Sequence, residues 1–180
     1  MKAMKDRIAR FKALMGNYVS EEFTQWLIDN GFFTAPASTK YHGNYSGGLY
    51  DHSEAVTKAL VGLTESLGLN WGEKRSPYIV GMFHDLCKYD QYVQKNGAWE
   101  YNYDTPLAGH GDKSVILLSN HLQLTEEESL CVRYHMGAFA PREDWDAYGK
   151  AIEQFPTVLY THTADMIAAR IAGINGRSRL

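Results

Sequence analysis

The sequence predicts an all-α fold carrying one small β-hairpin, on three observations. Apolar residues recur every three or four positions through most of the 180 residues, as in Leu49, Val56, Ala59, Leu60, Leu63 and Leu67, the spacing that lines one face of a helix. Start and stop signals bracket such segments: Ser20 before Glu21 and Glu22, Thr125 before Glu126, Glu127 and Glu128, Asn30-Gly31 after Leu27. One stretch departs from the pattern, around residues 91–102, where Asn96-Gly97 between aromatic and β-branched residues is the favoured two-residue hairpin signal.

Taken in order, Ile8, Phe11, Leu14 and Met15 predict a first helix and Phe23, Trp26 and Leu27 a second. Residues 1–31 are expected to pack on the core of a single domain spanning residues 1–180, a length that suits one sizeable core. From Phe32 to Gly48 periodicity is lost and Pro36, Gly43, Gly47 and Gly48 accumulate, so this is a loop, and loops carry function. A strong amphipathic helix follows over residues 49–67, with His52 on its apolar stripe. Ser76-Pro77 predicts the next start, as a cap residue followed by proline, for a helix reaching about Lys88. Beyond the hairpin, His110 stands at or just before a helix N-terminus, and His135 near the end of the helix begun at Thr125. Residues 141–154 read as a weaker helix that Phe155-Pro156 breaks, and a last one runs from about Thr157 through Ile171.

The composition, 44% hydrophobic, 22% charged and 13% aromatic, is that of an ordinary globular chain and argues against disorder. A formal charge of −3 gives no global pull toward nucleic acid or an anionic membrane, so phosphate binding would need a local group of cations. Duplex nucleic acid is not an expected partner. Cys87 and Cys131 lack Cys-x-x-Cys spacing and read as buried thiols of a reducing compartment. The first residues are charged, no apolar signal segment follows, and no run approaches the roughly 18 apolar residues of a membrane span. A cytoplasmic protein is expected, and aromatic residues of the first two helices could furnish a homodimer surface.

Chemistry concentrates at His84-Asp85, inside an apolar helix-like run where an unmatched charge would be very costly. A metal ion is an economical partner. His52, His110, His135 and Asp165 sit in helix-like segments of their own and could point at the same centre. Imidazole and carboxylate together suit iron or manganese, with zinc, nickel or magnesium as alternatives. Such a set exceeds the three protein ligands usual for catalytic zinc, which leans toward two ions. Neighbouring helix positions diverge by about 100°, so Asp85 is expected to bridge the ions rather than chelate one alongside His84. Two ions clamp the attacking and leaving oxygens of a phosphoryl displacement. Lys88, one turn beyond His84, and Lys113, three residues after His110, could neutralise phosphate charge. His42, in the loop before the first candidate ligand, is a further substrate-binding candidate.

The ordered set His52, His84-Asp85, His110, His135 and Asp165 resembles the HD-domain metal-dependent phosphohydrolase superfamily, in the version with two extra histidines associated with a dinuclear centre. Gly47-Gly48-Leu49-Tyr50-Asp51-His52 is similar to the Gly-Gly-Leu-x-x-His motif of the HD domain of bacterial 3′-to-5′ exoribonucleases, and His84-Asp85-Leu86-Cys87-Lys88 to His-Asp-(Ile/Leu)-Gly-Lys, with Cys87 where glycine is usual. The resemblance implies an HD-type helical bundle in which His52, His84, Asp85 and Asp165 form the shared metal core and His110 and His135 complete a second site. It implies a phosphomonoesterase or phosphodiesterase in which a metal-bound hydroxide attacks phosphorus, Asp85 bridges the ions and Lys88 stabilises the developing charge. A nucleotide, short oligonucleotide or small phosphorylated metabolite is the implied substrate. Two other readings stay open at this point: a di-iron HD-fold oxygenase acting on a small metabolite, and a non-catalytic signalling or scaffold domain stabilised by its metals.

Overall fold

The computed structural model describes residues 2–40, 43–107 and 109–171. It is helical throughout apart from one two-stranded antiparallel sheet, as the hydrophobic periodicity predicts. Helices α1 (Lys2–Met15) and α2 (Glu21–Asp29) precede the loop, and α3 (Gly48–Leu67) and α4 (Ser76–Phe83) follow it. Strands β1 (Tyr92–Lys95) and β2 (Ala98–Tyr101) come next, then α5 (Gly111–Ser119), α6 (Glu126–Arg133), α7 (Trp145–Gln154) and α8 (Thr157–Met166). Among the described residues no helix is long and apolar enough to cross a membrane.

Helix α3 lies at the centre, packed along α4 and also against α8. The α3–α4 crossing is close because Gly81 faces α3: a Cβ there would sit 2.6 Å from the Thr57 Cα. Around one end of the crossing Phe11, Phe23, Phe32, Phe33, Tyr50 and Phe83, all essentially inaccessible, form an aromatic core. The rings meet edge-on or tilted, as in Phe11–Phe33 at 5.4 Å and Phe23–Phe83 at 5.2 Å, arrangements their quadrupoles favour. The N-terminal helices therefore share the buried cluster with α3 and α4. Arg7 fastens α1 to the start of α3 with a two-pronged contact to Asp51, at 3.0 and 2.7 Å, and the Tyr45 hydroxyl donates to the same carboxylate at 3.2 Å. The residue after that anchor is His52.

Local signals act as expected at several boundaries. Ser20 accepts from the Phe23 amide, and Thr125 with Glu128 closes a reciprocal capping box. The hairpin turn is a two-residue one at Asn96-Gly97, both with positive φ (51° and 81°), and it pairs Lys95 with Ala98 and Tyr92 with Tyr101.

Three boundaries differ from the sequence expectation. Ser76 does not cap α4: Arg75 holds that position and the Ser76 hydroxyl donates instead to Glu128 on α6, at 3.0 Å. Glu128 also receives Arg75, so one buried carboxylate ties α4 to α6. Helix α4 stops at Phe83 rather than Lys88; Asp85 leaves the helical region (φ −104°, ψ 19°) and Leu86–Tyr89 is a 3₁₀ turn. The last helix gives way after Met166 to a π-helical turn, Ile167–Ile171. Such turns occur often at functional sites.

Candidate metal centre

The break after Phe83 lets neighbouring residues serve one centre. In a continuous helix His84 and Asp85 would point about 100° apart; with Asp85 outside it, His84 Nε2 lies 3.4 Å from Asp85 Oδ2. His52 reaches the same oxygen from α3 at 3.6 Å, and its Nε2 is 3.3 Å from that of His84. Asp165, on α8, places Oδ1 3.1 Å from His52 Nε2 and 4.0 Å from His84 Nε2. On the other side, Asp85 Oδ1 faces His110 Nε2 at 2.9 Å and His135 Nε2 at 3.4 Å. His52, His84 and Asp85 thus converge as one triad, and Asp85, His110 and His135 as another. Asp85 belongs to both, one oxygen each.

The six sequence-nominated ligands are brought together, though not as side chains of separate helices. His52 and Asp165 lie within helices, whereas His84 caps the end of α4, His110 stands at the N-cap of α5 and His135 lies beyond the end of α6. Glycine permits one of these approaches: a Cβ on Gly111 would fall on the Arg133 carbonyl, so only a bare backbone lets α5 begin against the end of α6.

Ring orientation is set from behind. A carbonyl only accepts, so the 2.9 Å contact of His84 Nδ1 with the Gly81 carbonyl and the 2.8 Å contact of His135 Nδ1 with that of Val132 put a proton on each Nδ1. The Nε2 atoms are thereby aimed at Asp85, the arrangement typical of metal-bound histidines. His110 Nδ1 meets a sulfur instead, Cys87 Sγ at 3.2 Å. His162 donates its own Nδ1–H to the His135 carbonyl at 2.9 Å and so supports the backbone of that residue.

The electrostatics of the pocket are those of a cation site. Burial opposes the charge of Asp85, yet Lys88, His84 and His110 hold its carboxyl well below the usual range. Asp165 is likewise lowered, against burial, by its hydrogen bond with His52 and by the neighbouring imidazoles. Burial pushes His52 and His110 down toward neutral imidazole. His84 is raised, because Asp85, Asp165 and the Gly81 carbonyl outweigh its burial. Buried His135 Nε2 makes no hydrogen bond among the described residues, a costly state for a polar atom that a divalent cation beside Asp85 Oδ1 would relieve. Histidine nitrogens and carboxylate oxygens are also the donors that iron, manganese and zinc accept. The residues fit a metal ion.

Lys88 sends Nζ to Asp85 Oδ2 at 2.6 Å, and the Asp85 charge raises its pKa despite burial. It lines a cavity of about 260 Å³ over the centre together with Asp85, His110, Phe139, Asp165 and Arg170. Arg170 has no sequence signal as a site residue; the π-helical turn after Asp165 brings it to this rim. Lys113 is buried, with Nζ 2.5 Å from Asp90 and 2.8 Å from Thr105, and lines a neighbouring cavity. His42 lies outside the described residues. Arg133 pairs with Asp112 and Asp144, away from the centre.

No family model matches this chain, and no solved structure matches it. It is similar to the dihydroneopterin 2′,3′-cyclic phosphate phosphodiesterase of Methanocaldococcus jannaschii, 32% identical over 83 residues that make up 43% of this chain and 33% of the relative. The aligned part is thus about a third of the relative's length, and the likeness is to a phosphodiesterase of a small phosphorylated metabolite.

Proposed function

We propose that the protein is a metal-dependent phosphohydrolase that cleaves a phosphoester of a nucleotide or small phosphorylated metabolite. The observation that carries this reading is the shared carboxylate: Asp85 turns one oxygen to His52 and His84 and the other to His110 and His135, beneath a cavity bordered by Lys88 and Arg170. Further support comes from the relative, whose substrate is a cyclic phosphodiester. His52, His84, Asp85 and Asp165 would hold one ion, and Asp85, His110 and His135 a second. When bound, such ions would lower the pKa of a coordinated water and offset the charge of a phosphoryl group.

The other steps fall to the chain itself. The Gly81 and Val132 carbonyls keep His84 and His135 in the tautomer that leaves Nε2 directed at the centre. Lys88, whose Nζ lies 2.6 Å from Asp85 Oδ2 in the cavity wall, would donate to a non-bridging phosphoryl oxygen and match the charge that develops there. Arg170 at the rim would receive a second oxygen, and Phe139 and Met136 would narrow the access of bulk water.

Elemental analysis of the purified protein, followed by a screen of mono-, di- and cyclic phosphoesters under Mn²⁺ and Fe²⁺, tests the reading. Metal-dependent hydrolysis of a phosphoester, read as the alcohol or monoester product, that disappears in Lys88→Ala is expected. A fully loaded centre that is silent across the panel but consumes O₂ with a small metabolite would replace hydrolysis with oxygenation.

A further inference from the structure

Beside the cavity over the metal centre lies a larger one of about 580 Å³, whose wall includes Tyr101, Tyr103, Leu107, Lys113, His110 and Met136. His110 and Met136 line both hollows, so the larger cavity continues outward from the candidate ligands. Its size is that of a small-molecule site. Its outer wall is the β-hairpin and the residues just after it.

The polar side chains of that wall are already occupied. Gln91 donates its amide to the Tyr101 hydroxyl, Asn102 donates to the Asp90 carbonyl at 2.8 Å and accepts from the Asp104 amide at 3.1 Å, and Lys113 is held by Asp90 and Thr105. The wall therefore offers ring faces more than free hydrogen-bonding edges. Tyr101 and Tyr103 stand 5.8 Å apart at 35°, and they are 48% and 89% exposed. Tyr101 has a structural partner in Tyr92, across the strand pair at 5.4 Å. Tyr103 lies past the end of β2, outside the strand register, and its ring meets the hairpin only through Tyr101 among the described residues.

We propose that Tyr101 and Tyr103 form a stacking platform for a planar nitrogen heterocycle, carried on the same molecule as the phosphoester that lies over Asp85 and Lys88. The proposal rests on the phosphohydrolase reading for the position of the phosphoryl group. The substrate class that follows is a phosphoester joined through a sugar or short polyol to a nucleobase or pterin. Because every such ring has a π face, a platform of this kind selects for a heterocycle while discriminating weakly among heterocycles.

Equilibrium binding to the metal-loaded full chain tests this without turnover. Adenosine 5′-monophosphate and ribose 5-phosphate differ only in the base. Calorimetry is expected to show the nucleotide binding about tenfold more tightly, with guanosine and cytidine monophosphates and dihydroneopterin monophosphate within a few-fold of it. Tyr103→Ala alone, which spares the Tyr92–Tyr101 pair, should remove most of that advantage and leave ribose 5-phosphate binding unchanged; Tyr101→Phe and Tyr103→Phe should retain it. Lys12→Ala, on α1 and away from both cavities, should change nothing. Equal binding of the two phosphates by the wild type, or a full advantage in Tyr103→Ala, overturns the platform while phosphate binding at the centre stands. If neither phosphate binds, the platform and the phosphohydrolase reading fall together. If the nucleotide advantage is present and Tyr103-dependent but no phosphoester is cleaved, the platform holds and hydrolysis is rejected.

Discussion

The two sides of Asp85 are built differently. His52 and His84 come from the crossing of α3 and α4, both fully inaccessible, and Asp165 joins them from α8 at the edge of the smaller cavity. His110 and His135 come from the ends of α5 and α6, and the His110 side chain is 25% exposed where the two cavities meet. One carboxylate thus joins a position embedded in the core to one that looks out on the substrate space. Closed metal sites serve structure, whereas catalytic ones keep a coordination position open. On the proposed assignment the embedded ion would be held tightly, and the outer one would exchange and meet substrate.

Removing the hinge should erase the distinction altogether. Asp85→Asn takes a charged oxygen from both triads, so elemental analysis should find both equivalents of metal lost together. Activity should fall by at least roughly 10²–10³-fold, the cost of losing one preorganised charge-stabilising group. The substitution also leaves the Lys88 ammonium beside an amide, and Asp85→Asn with Lys88→Met separates that stability effect from metal loss. One equivalent retained in Asp85→Asn would show that the carboxylate is not shared.

Next in size is the contrast between the sides. His84→Ala opens a hole in the core and is expected to cost about 2–4 kcal/mol, which for a chain of this length lowers the melting temperature by roughly 2–4 °C per kcal/mol. His110→Ala lies at a helix end beside a cavity and should stay within about 1 kcal/mol, while lowering metal content from two equivalents toward one. Calorimetric melting of the metal-free proteins with parallel elemental analysis reads both. Similar melting shifts for the two variants would remove the distinction between core and rim.

What the sequence could reveal follows the same division. Helices, caps and the hairpin turn are local effects, and Ser20, Thr125 and Asn96-Gly97 announced them directly. The order of the histidines and aspartates marked the residues that the fold gathers, because few other roles ask for carboxylate and imidazole in apolar segments. The device that lets His84 and Asp85 face one centre was hidden: the run from Ile79 to Leu86 is apolar enough to read as continuous helix, and its interruption arises from tertiary contacts, among them Cys87 N–H donating to Ser114 at 3.1 Å. Arg170 was hidden for a related reason, since a π-helical turn breaks the 3.6-residue spacing by which faces are assigned. The hairpin was legible as a hairpin, but its cavity-facing tyrosines carry the same signal as ordinary strand residues.

The embedded side should also be sensitive to the backbone that carries it. Gly81→Ala drives a methyl group into the Thr57 backbone, and overpacking of this kind costs about 1–3 kcal/mol. Pushing α4 from α3 would separate His84 from His52, so the tighter of the two metal affinities should weaken with stability. A chelator competition that shows only the weaker affinity changed would mean that the crossing does not set the embedded position.

The smallest expected effect concerns the outer side. His84 and His135 are each oriented by a backbone carbonyl, which cannot be mutated away, but His110 is oriented by the Cys87 thiol. Cys87 is buried, and burial pushes its thiol up to about 12, so it stays protonated at neutral pH and can serve as a weak acceptor for His110 Nδ1–H. With that contact in place the His110 lone pair remains on Nε2, facing Asp85. Cys87→Ala keeps the packing nearly intact and deletes the acceptor, which should weaken the outer metal by about tenfold, the low end for partners that orient a ligand from behind. Cys87→Ser supplies an oxygen acceptor and should restore most of it. The embedded metal should be indifferent to either change, so a competition titration that finds both affinities weakened equally would place Cys87 in the general packing of the centre, and one that finds neither weakened would show that His110 is oriented by the fold alone.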